Sequence, residues 1–490
     1  MNLWFGLTMR TELHIGGVWR EGAGERFSSH NPVNGDKVWQ GHAASPDDVA
    51  EAMAAARLAF PAWSRCPLDE RIVIVRGFAK AIEKRADELA RMISAETGKV
   101  AWDAKGEVGT IIGKIELSVR AQAERAGFKE EKAAFGAMTL SHHPHGVLAV
   151  FGPFNFPGHL PNGHIVPALI AGNCVLFKPS EFTPGVAALM VEAWEEAGLP
   201  PGVLNLLQGA RETGAALLDA PGLNGVLFTG SAHTGALIHR KFAGRPDVLL
   251  ALELGGNNPL IVWPPVELSA AANLVAHSAF ATSGQRCSCA RRLIVPDNAD
   301  GTAIVEAVAG LAAKISVGAP DAQPEPFMGP LINAHAADRA VKLQEGLLAM
   351  GAKAILPLKR DGAFATPGII DVTGISVPDE ELFGPLLQVY RVKDFDHALD
   401  AANATRFGLS GGLISDDPTL WARVKQELRA GILNWNRPTT GASGAMPFGG
   451  PGLSGSLRPS AYYAADYVAY PVATQIAEKA APIAASGLPS

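Results

Sequence analysis

Five short segments carry the residue types that do chemistry. The first is Gly284-Gln285-Arg286-Cys287-Ser288-Cys289. A thiol beside Gly and Arg is placed like a nucleophile, since neighbouring positive charge favours the thiolate. Two blander readings compete. Most cysteines are small buried apolar residues, and two thiolates one residue apart could hold zinc, although no second Cys or His pair stands at ligand spacing. Cys289 reads either as a partner that links to Cys287 under oxidation or as a buried spectator. The second segment, Leu252-Glu253-Leu254-Gly255-Gly256-Asn257, ends an apolar run on a carboxylate. Partial desolvation there raises a carboxyl toward the pKa of a general base; a solvated Glu at a hinge is the alternative. The third, Gly152-Pro153-Phe154-Asn155-Phe156-Pro157, offers a side-chain amide that can stabilise a developing oxyanion. It also reads as an ordinary turn Asn.

The other two segments suit a dinucleotide. Phe228-Thr229-Gly230-Ser231-Ala232-His233-Thr234-Gly235 passes from a strand-like run into a helix-like one. Small residues at such a junction let a phosphate approach the helix N-terminus, although the GxGxxG spacing is missing. Lys178-Pro179-Ser180-Glu181 closes another apolar run. Its Lys and Glu can grip the two hydroxyls of a ribose; taken alone they are surface charges.

In this order the segments resemble the aldehyde dehydrogenase superfamily, from Gly146 to Gly455, and the weaker terminal patterns agree. The resemblance implies an α/β fold with two doubly wound parallel-sheet domains and a small oligomerisation segment. An NAD-binding domain would span 1–126 and 146–254, a catalytic domain 255–455, and bridging segments 127–145 and 456–490. It implies Cys287 as nucleophile, Glu253 as general base, and Asn155 with the Cys287 backbone N–H as oxyanion donors. Lys178, Glu181, Gly230, Ser231 and Gly235 would contact the cofactor. In Glu381-Leu382-Phe383-Gly384-Pro385, Glu381 would hold the nicotinamide ribose and Phe383 would be a further cofactor contact. No metal is implied. Glu253 points to hydrolysis of a thioester over transfer to coenzyme A. Glu181 points to NAD over NADP, because a carboxylate at the ribose repels a 2′-phosphate.

Three further stretches narrow the resemblance: Pro161-Asn162-Gly163-His164, residues 284–292, and residues 434–438 leading into Arg458-Pro459-Ser460-Ala461-Tyr462-Tyr463. They are similar to the branch of the superfamily that oxidises a succinylated semialdehyde in arginine breakdown. The implied substrate is a small dianionic semialdehyde, whose carboxylates require cationic partners. Arg286, Arg437 and Arg458 are the candidates, each equally readable as a surface or inter-subunit ion pair. Two other functions stay open. One is the same chemistry on glutamate semialdehyde, succinate semialdehyde or a broad set of aldehydes. The other is a catalytically silent scaffold, which would be expected to lack the thiol or the base.

Elements to position these segments are expected as follows. Ser45-Pro46-Asp47-Asp48 caps a helix running to about residue 59, and a helical region over 69–97 stops at Gly98. From Gly146, β-type runs at 147–151, 174–177, 203–207 and 226–228 alternate with helix-like stretches at 185–197 and 213–218, which predicts a parallel sheet covered on both faces. The alternation resumes at 260–262, 268–281 and 293–295, with a domain boundary at Gly255-Gly256. Residues 447–455 are expected as loop. The tail after them holds Tyr462, Tyr463, Tyr467 and Tyr470, which pack against either another subunit or their own core. With residues 127–140, this tail is the expected interface of a homodimer or homotetramer. The His142, His143 and His145 cluster reads as structural before it reads as a metal site.

Composition bounds the rest. The chain has 490 residues, 48% apolar and 18% charged, which suits a globular protein of two or three domains. A net charge of −6 with interspersed signs and no Lys/Arg block argues against a nucleic acid or a membrane surface as partner. Cys66, Cys174, Cys287 and Cys289 are too few for a disulfide framework, so a cytoplasmic setting is expected. The opening residues do not read as a signal peptide, Met9 could be a second start, and no apolar run approaches the ~18 residues of a membrane span.

Overall fold

The computed structural model describes residues 10–483 and 485–487, so the alternative start at Met9 lies outside the described residues. Strands Val147–Phe151 and Cys174–Lys178 are apolar except at Lys178, and every residue in them is buried. Strands of that kind need a layer on each face. They lie inside a seven-stranded sheet in the order Leu249–Glu253, Gly225–Thr229, Val147–Phe151, Cys174–Lys178, Leu204–Leu206, Leu13–Ile15, Val18–Arg20. The first five run parallel, and the N-terminal hairpin closes the edge antiparallel. Chain order reverses between Val147–Phe151 and Gly225–Thr229. At such a switch point the loops leave in opposite directions and open a crevice at the strands' C-terminal ends.

Gly255 and Gly256 fall between the last strand of this sheet and the first of a second one. That sheet runs Lys353–Leu356, Gly368–Asp371, Leu386–Val392, Ala290–Pro296, Asn258–Val262, Ser410–Ile414, Ile432–Trp435, parallel except for its first strand. A third, antiparallel sheet joins Lys129–Ala133, Gly136–Pro144 and Ala469–Ile476 into an arm. Among the described residues no helix is long and apolar enough to cross a membrane.

Several local expectations change. The capping box of Ser45 and Asp48 starts a helix that continues to Arg65 with Pro61 inside it. The helical region 69–97 is two helices, Leu68–Lys84 and Ala86–Thr97, separated at Arg85; Gly98 ends the second in the left-handed conformation. The stretch 447–455 is not all loop, since Pro447–Phe448 pairs with Ser460–Ala461. The tyrosine tail divides. Tyr467 is buried in its own chain, with its hydroxyl 2.9 Å from Nδ1 of His164, and Tyr462 is bonded by Arg120. Tyr470 is 45% exposed on the arm, against His143 and His145. His145 is further partnered by the Tyr467 carbonyl at 2.9 Å.

One buried ion pair links these layers to the chemistry. Lys99 Nζ lies 2.6 Å from Glu107 on the helix Ala101–Arg125, both side chains almost fully buried, and 3.6 Å from the centre of the Phe156 ring. The other Glu107 oxygen accepts the N–H groups of Gly158 and His159 at 2.9 and 3.1 Å. Those are orphan donors at the start of the helix His159–Ala171, so the pair also fixes the loop that carries Asn155. Glu107→Ala strands the ammonium, and a broken buried pair costs about 3–5 kcal/mol. We expect a clear drop in the thermal unfolding midpoint of Glu107→Ala, with much of it recovered in the apolar double variant Lys99→Met/Glu107→Leu. An unchanged midpoint in Glu107→Ala would show that the pair does not hold this region.

Candidate active site

Asn155 leaves the strand Val147–Phe151 on the crevice side. It is buried, and its Nδ2 donates to the Gln285 carbonyl at 2.9 Å, which sets the amide beside the cysteine loop and leaves a second N–H to spare. That loop follows the helix Leu268–Phe280 through Thr282, Ser283 and Gly284, all with positive φ (53°, 55°, 72°). Thr282 donates to Asp103, and Ser283 to the Gly329 carbonyl at 2.7 Å. A Cβ on Gly284 would meet the Gly384 carbonyl oxygen at 2.2 Å, so only glycine fits there. Beyond the turn, the Asn258 amide donates to the carbonyls of Cys287 and Cys289 at 2.7 and 2.9 Å.

Cys287 is partly buried and Cys289 is buried, its thiol facing the Ala281 carbonyl. The expected role of Arg286 fails here. Its guanidinium turns from the thiol to Asp103 at 2.9 Å and to the Thr282 hydroxyl at 2.7 Å, and sits over the Phe156 ring. Burial pushes the Cys287 thiol up to about 12, and the carboxylates of Glu381 and Glu253 push in the same direction. The neighbourhood of the thiol is therefore carboxylate-rich where positive charge was expected.

Glu253 ends the edge strand Leu249–Glu253 and is buried. One oxygen accepts the Ser460 N–H at 3.0 Å; the other is buried with no donor among the described residues. Burial holds this carboxyl well above its ordinary value, against the Ser460 bonds and the charge of Lys114. A carboxyl so placed takes a proton readily and has an oxygen free to orient water.

The other predicted residues gather at the strand ends. A Cβ on Gly230 would meet the Phe228 ring at 2.5 Å, and one on Gly235 would meet Leu254 at 2.4 Å, so the helix Ala232–Lys241 sits tightly on the sheet. Ser231 caps that helix, its Oγ accepting from Thr234 N. Lys178 is buried and donates to the carbonyls of Pro179 and Gly209 at 2.7 and 2.6 Å; burial pulls it down to about 8, and Glu181 opposes. Glu381 lies against Gly255, 3.7 Å from Arg291, with one buried oxygen unpartnered. Phe383 packs edge-on to Phe154. A helix N-terminus, a backbone with no room for side chains and a buried carboxylate oxygen unpartnered among the described residues fit a dinucleotide.

A cavity of about 230 Å³ opens beside Glu253, lined also by Lys114, His159, His164, Thr229, Ser460 and the loop 442–444. None of the three predicted arginines lines it. Arg286 is committed to Asp103, and Arg437 and Arg458 are exposed elsewhere. Sequence reasoning missed Lys114 and His159, and took His164 only as part of a signature. Burial, with Lys114 adding, pulls both histidines down to about 3, so both are neutral.

Residues 19–471 match the aldehyde dehydrogenase family. The N-succinylglutamate 5-semialdehyde dehydrogenase of Paraburkholderia xenovorans is 54% identical over 468 residues, 95% of this chain and 96% of that one. The N-succinylglutamate 5-semialdehyde dehydrogenase 2 of Caulobacter vibrioides is 57% identical over 469 residues, 94% of this chain and 96% of that one. Among solved structures, 1-pyrroline-5-carboxylate dehydrogenase from Thermus with bound NAD superposes with a TM-score of 0.88 at 32% identity, covering 95% of this chain and 92% of that one.

The raised carboxyl of Glu253 gives a pH test. A base works only when ionised, so kcat limited by thioester hydrolysis should fall as pH drops through the raised pKa, above the ~4.3 of a free Glu. Glu253→Gln should lower kcat about 10²–10⁴-fold and remove that acid limb. An acid limb that survives the substitution would take the base role from Glu253.

Proposed function

The chain belongs to the aldehyde dehydrogenase family, and on that premise we propose that it oxidises N-succinyl-L-glutamate 5-semialdehyde to N-succinyl-L-glutamate with NAD, a step of arginine breakdown by the succinyltransferase route. The observation that carries this reading is the near-full-length identity, 54% and 57%, with two relatives of that name. The convergence of thiol, carboxylate and amide at one crevice supports the chemistry.

Cys287 Sγ attacks the aldehyde carbon and its proton passes to Glu253, a buried carboxylate whose charge acts on the thiol and which has one oxygen unpartnered among the described residues. The negative charge on the former carbonyl oxygen is met by the spare Asn155 N–H and the Cys287 backbone N–H; one such donor is worth about 3 kcal/mol. NAD, held by Lys178, Glu181, Ser231 and Glu381 with room made by Gly230 and Gly235 and with Phe383 alongside, supplies the hydride acceptor when bound. Loss of hydride leaves an acyl thioester on Cys287. Glu253 first releases the thiol's proton to solvent and then takes a proton from water as the hydroxide adds to the thioester carbon; the C–S bond breaks to free the acid, and the departing thiolate takes a proton from Glu253. The carboxylate of Glu181 favours NAD over its 2′-phosphorylated form.

The same reading includes a homodimer or homotetramer, supported by the projecting arm with Met138, Tyr470 and Ile476 exposed. It places the enzyme in the cytoplasm, in keeping with four free cysteines.

The test is NADH formation with N-succinylglutamate, glutamate and succinate semialdehydes side by side. We expect kcat/KM for the succinylated compound to lead by about 100-fold, worth about 2.7 kcal/mol in transition-state binding. Equal values would remove this substrate and keep the chemistry. No NADH from any aldehyde would remove the chemistry too.

A further inference from the structure

Three lysines are buried near the crevice, and two of them have partners. Lys99 is paired with Glu107, and Lys178 donates to two backbone carbonyls. Lys114 differs. It stands in the middle of the helix Ala101–Arg125, only 4% exposed. Among the described residues no side chain hydrogen-bonds its ammonium, and Glu253, the one carboxylate whose charge acts on it, is already held by Ser460. Burying an ammonium without a partner is costly. This chain neutralises Lys99, on the turn that precedes the same helix, so the isolation of Lys114 is specific to its position.

That position is the wall of the cavity beside Glu253. Among the described residues Lys114 is the only Lys or Arg lining it, and the two histidines there are neutral. The loop 442–444 approaches the same face of the helix: a Cβ on Gly444 would lie 2.9 Å from Leu117, three residues beyond Lys114. Nδ1 of His159 is buried with no partner among the described residues. The cavity therefore brings one unpaired cation together with the Glu253 carboxyl and two neutral histidines. An anionic group entering it is drawn to Lys114, the cation in its wall that has no partner among the described residues. A substrate with an aldehyde at one end and carboxylates elsewhere is thereby oriented along the cavity.

We propose that Lys114 binds a carboxylate of the substrate and so directs the aldehyde toward Cys287, a specificity role that the arginines 286, 437 and 458 do not fill. This rests on the reading of the site as an aldehyde dehydrogenase centre with an anionic substrate. Burial draws the Lys114 ammonium down to about 8, which leaves it charged at neutral pH. A carboxylate beside it would hold the proton more firmly.

The test uses the full-length enzyme with bound NAD and two aldehydes of equal carbon count, succinate semialdehyde and butanal, together with N-succinylglutamate semialdehyde. For Lys114→Met, which keeps the aliphatic stem, the ratio of kcat/KM for each anionic aldehyde to that for butanal should fall about 30-fold or more, mostly through KM. Lys114→Arg should recover part of the ratio. The same fold-loss for butanal as for the anions, or a selective loss in Arg437→Gln or Arg458→Gln with none in Lys114→Met, would overturn the proposal. If Lys114→Met does not fold, inhibition of the unaltered enzyme decides. N-succinylglutamate should inhibit at least tenfold more tightly than its fully amidated, uncharged analogue, and equal inhibition would overturn the proposal. Failure of the parent reading looks different: the unaltered enzyme would not favour the succinylated aldehyde over succinate semialdehyde, while the anion-to-butanal ratio would still report on Lys114.

Discussion

Between the helix Leu268–Phe280 and the strand Ala290–Pro296 the chain has to reverse inside the protein, and it does so through three consecutive left-handed residues. For Thr282 and Ser283, which carry side chains, that conformation costs about 1–3 kcal/mol each and survives only where the surroundings insist on it. They do insist. Asp103 comes from a helix over the first sheet, the Gly329 carbonyl from a loop of the second half, and the Gly384 carbonyl presses where a side chain would be. Gln285 adds a bond, its side-chain oxygen accepting from Ile332 N at 3.0 Å. Cys287 is thus positioned by both halves of the chain together, and neither half alone would hold the turn.

Holding the turn consumes a charge. Arg286 sits next to Cys287 in sequence, yet its guanidinium completes the Asp103–Thr282 network that supports the strained backbone. The thiol is left with Glu253 and Glu381 as its charged neighbours, and Arg291 as the weaker opposing influence. Proximity in sequence and proximity in field are different quantities here, because one residue along a turn is enough to point a side chain the other way. Elsewhere in the site, isolated charges are kept apart on purpose of geometry: Lys114 and Glu253 share a cavity but do not pair, so each remains available to something that enters it.

What could be read from the sequence was mostly local. Glycines with no room for a side chain, such as Gly230 and Gly284, and polar residues closing apolar runs, such as Glu253 and Lys178, leave a local pattern. So does the capping box at Ser45, and so do fully buried strands such as Val147–Phe151. The helix Ala101–Arg125 was not recognised. Its Lys and Glu residues recur as they would on a solvated face, and only tertiary packing separates Lys114 and Glu107, which are buried, from Lys105, which is exposed. Choosing arginines for the substrate followed the same limit: their chemistry suits carboxylates, but direction decides, and direction is set by partners far away in the chain. The break at Arg85 was hidden because helical periodicity continues across it.

The last strand of the first sheet is completed from the far end of the chain. Leu252 N donates to the Ser456 hydroxyl at 2.9 Å, Leu254 N to the Ser454 carbonyl at 2.9 Å, and Ser460 N to the Glu253 carboxylate. Some two hundred intervening residues, the whole second sheet among them, lie between Glu253 and the segment that seats it. In the lifetime of a growing chain this imposes an order. The first sheet's strands are synthesised early, and long-range closures of this kind come late because so much chain must be brought together first. A partly made polypeptide can contain Cys287, Asn155 and Glu253 and still leave the Glu253 carboxylate unseated. The seating of Glu253 therefore arrives only once residues 454–460 have been made, after the structure around it has been committed.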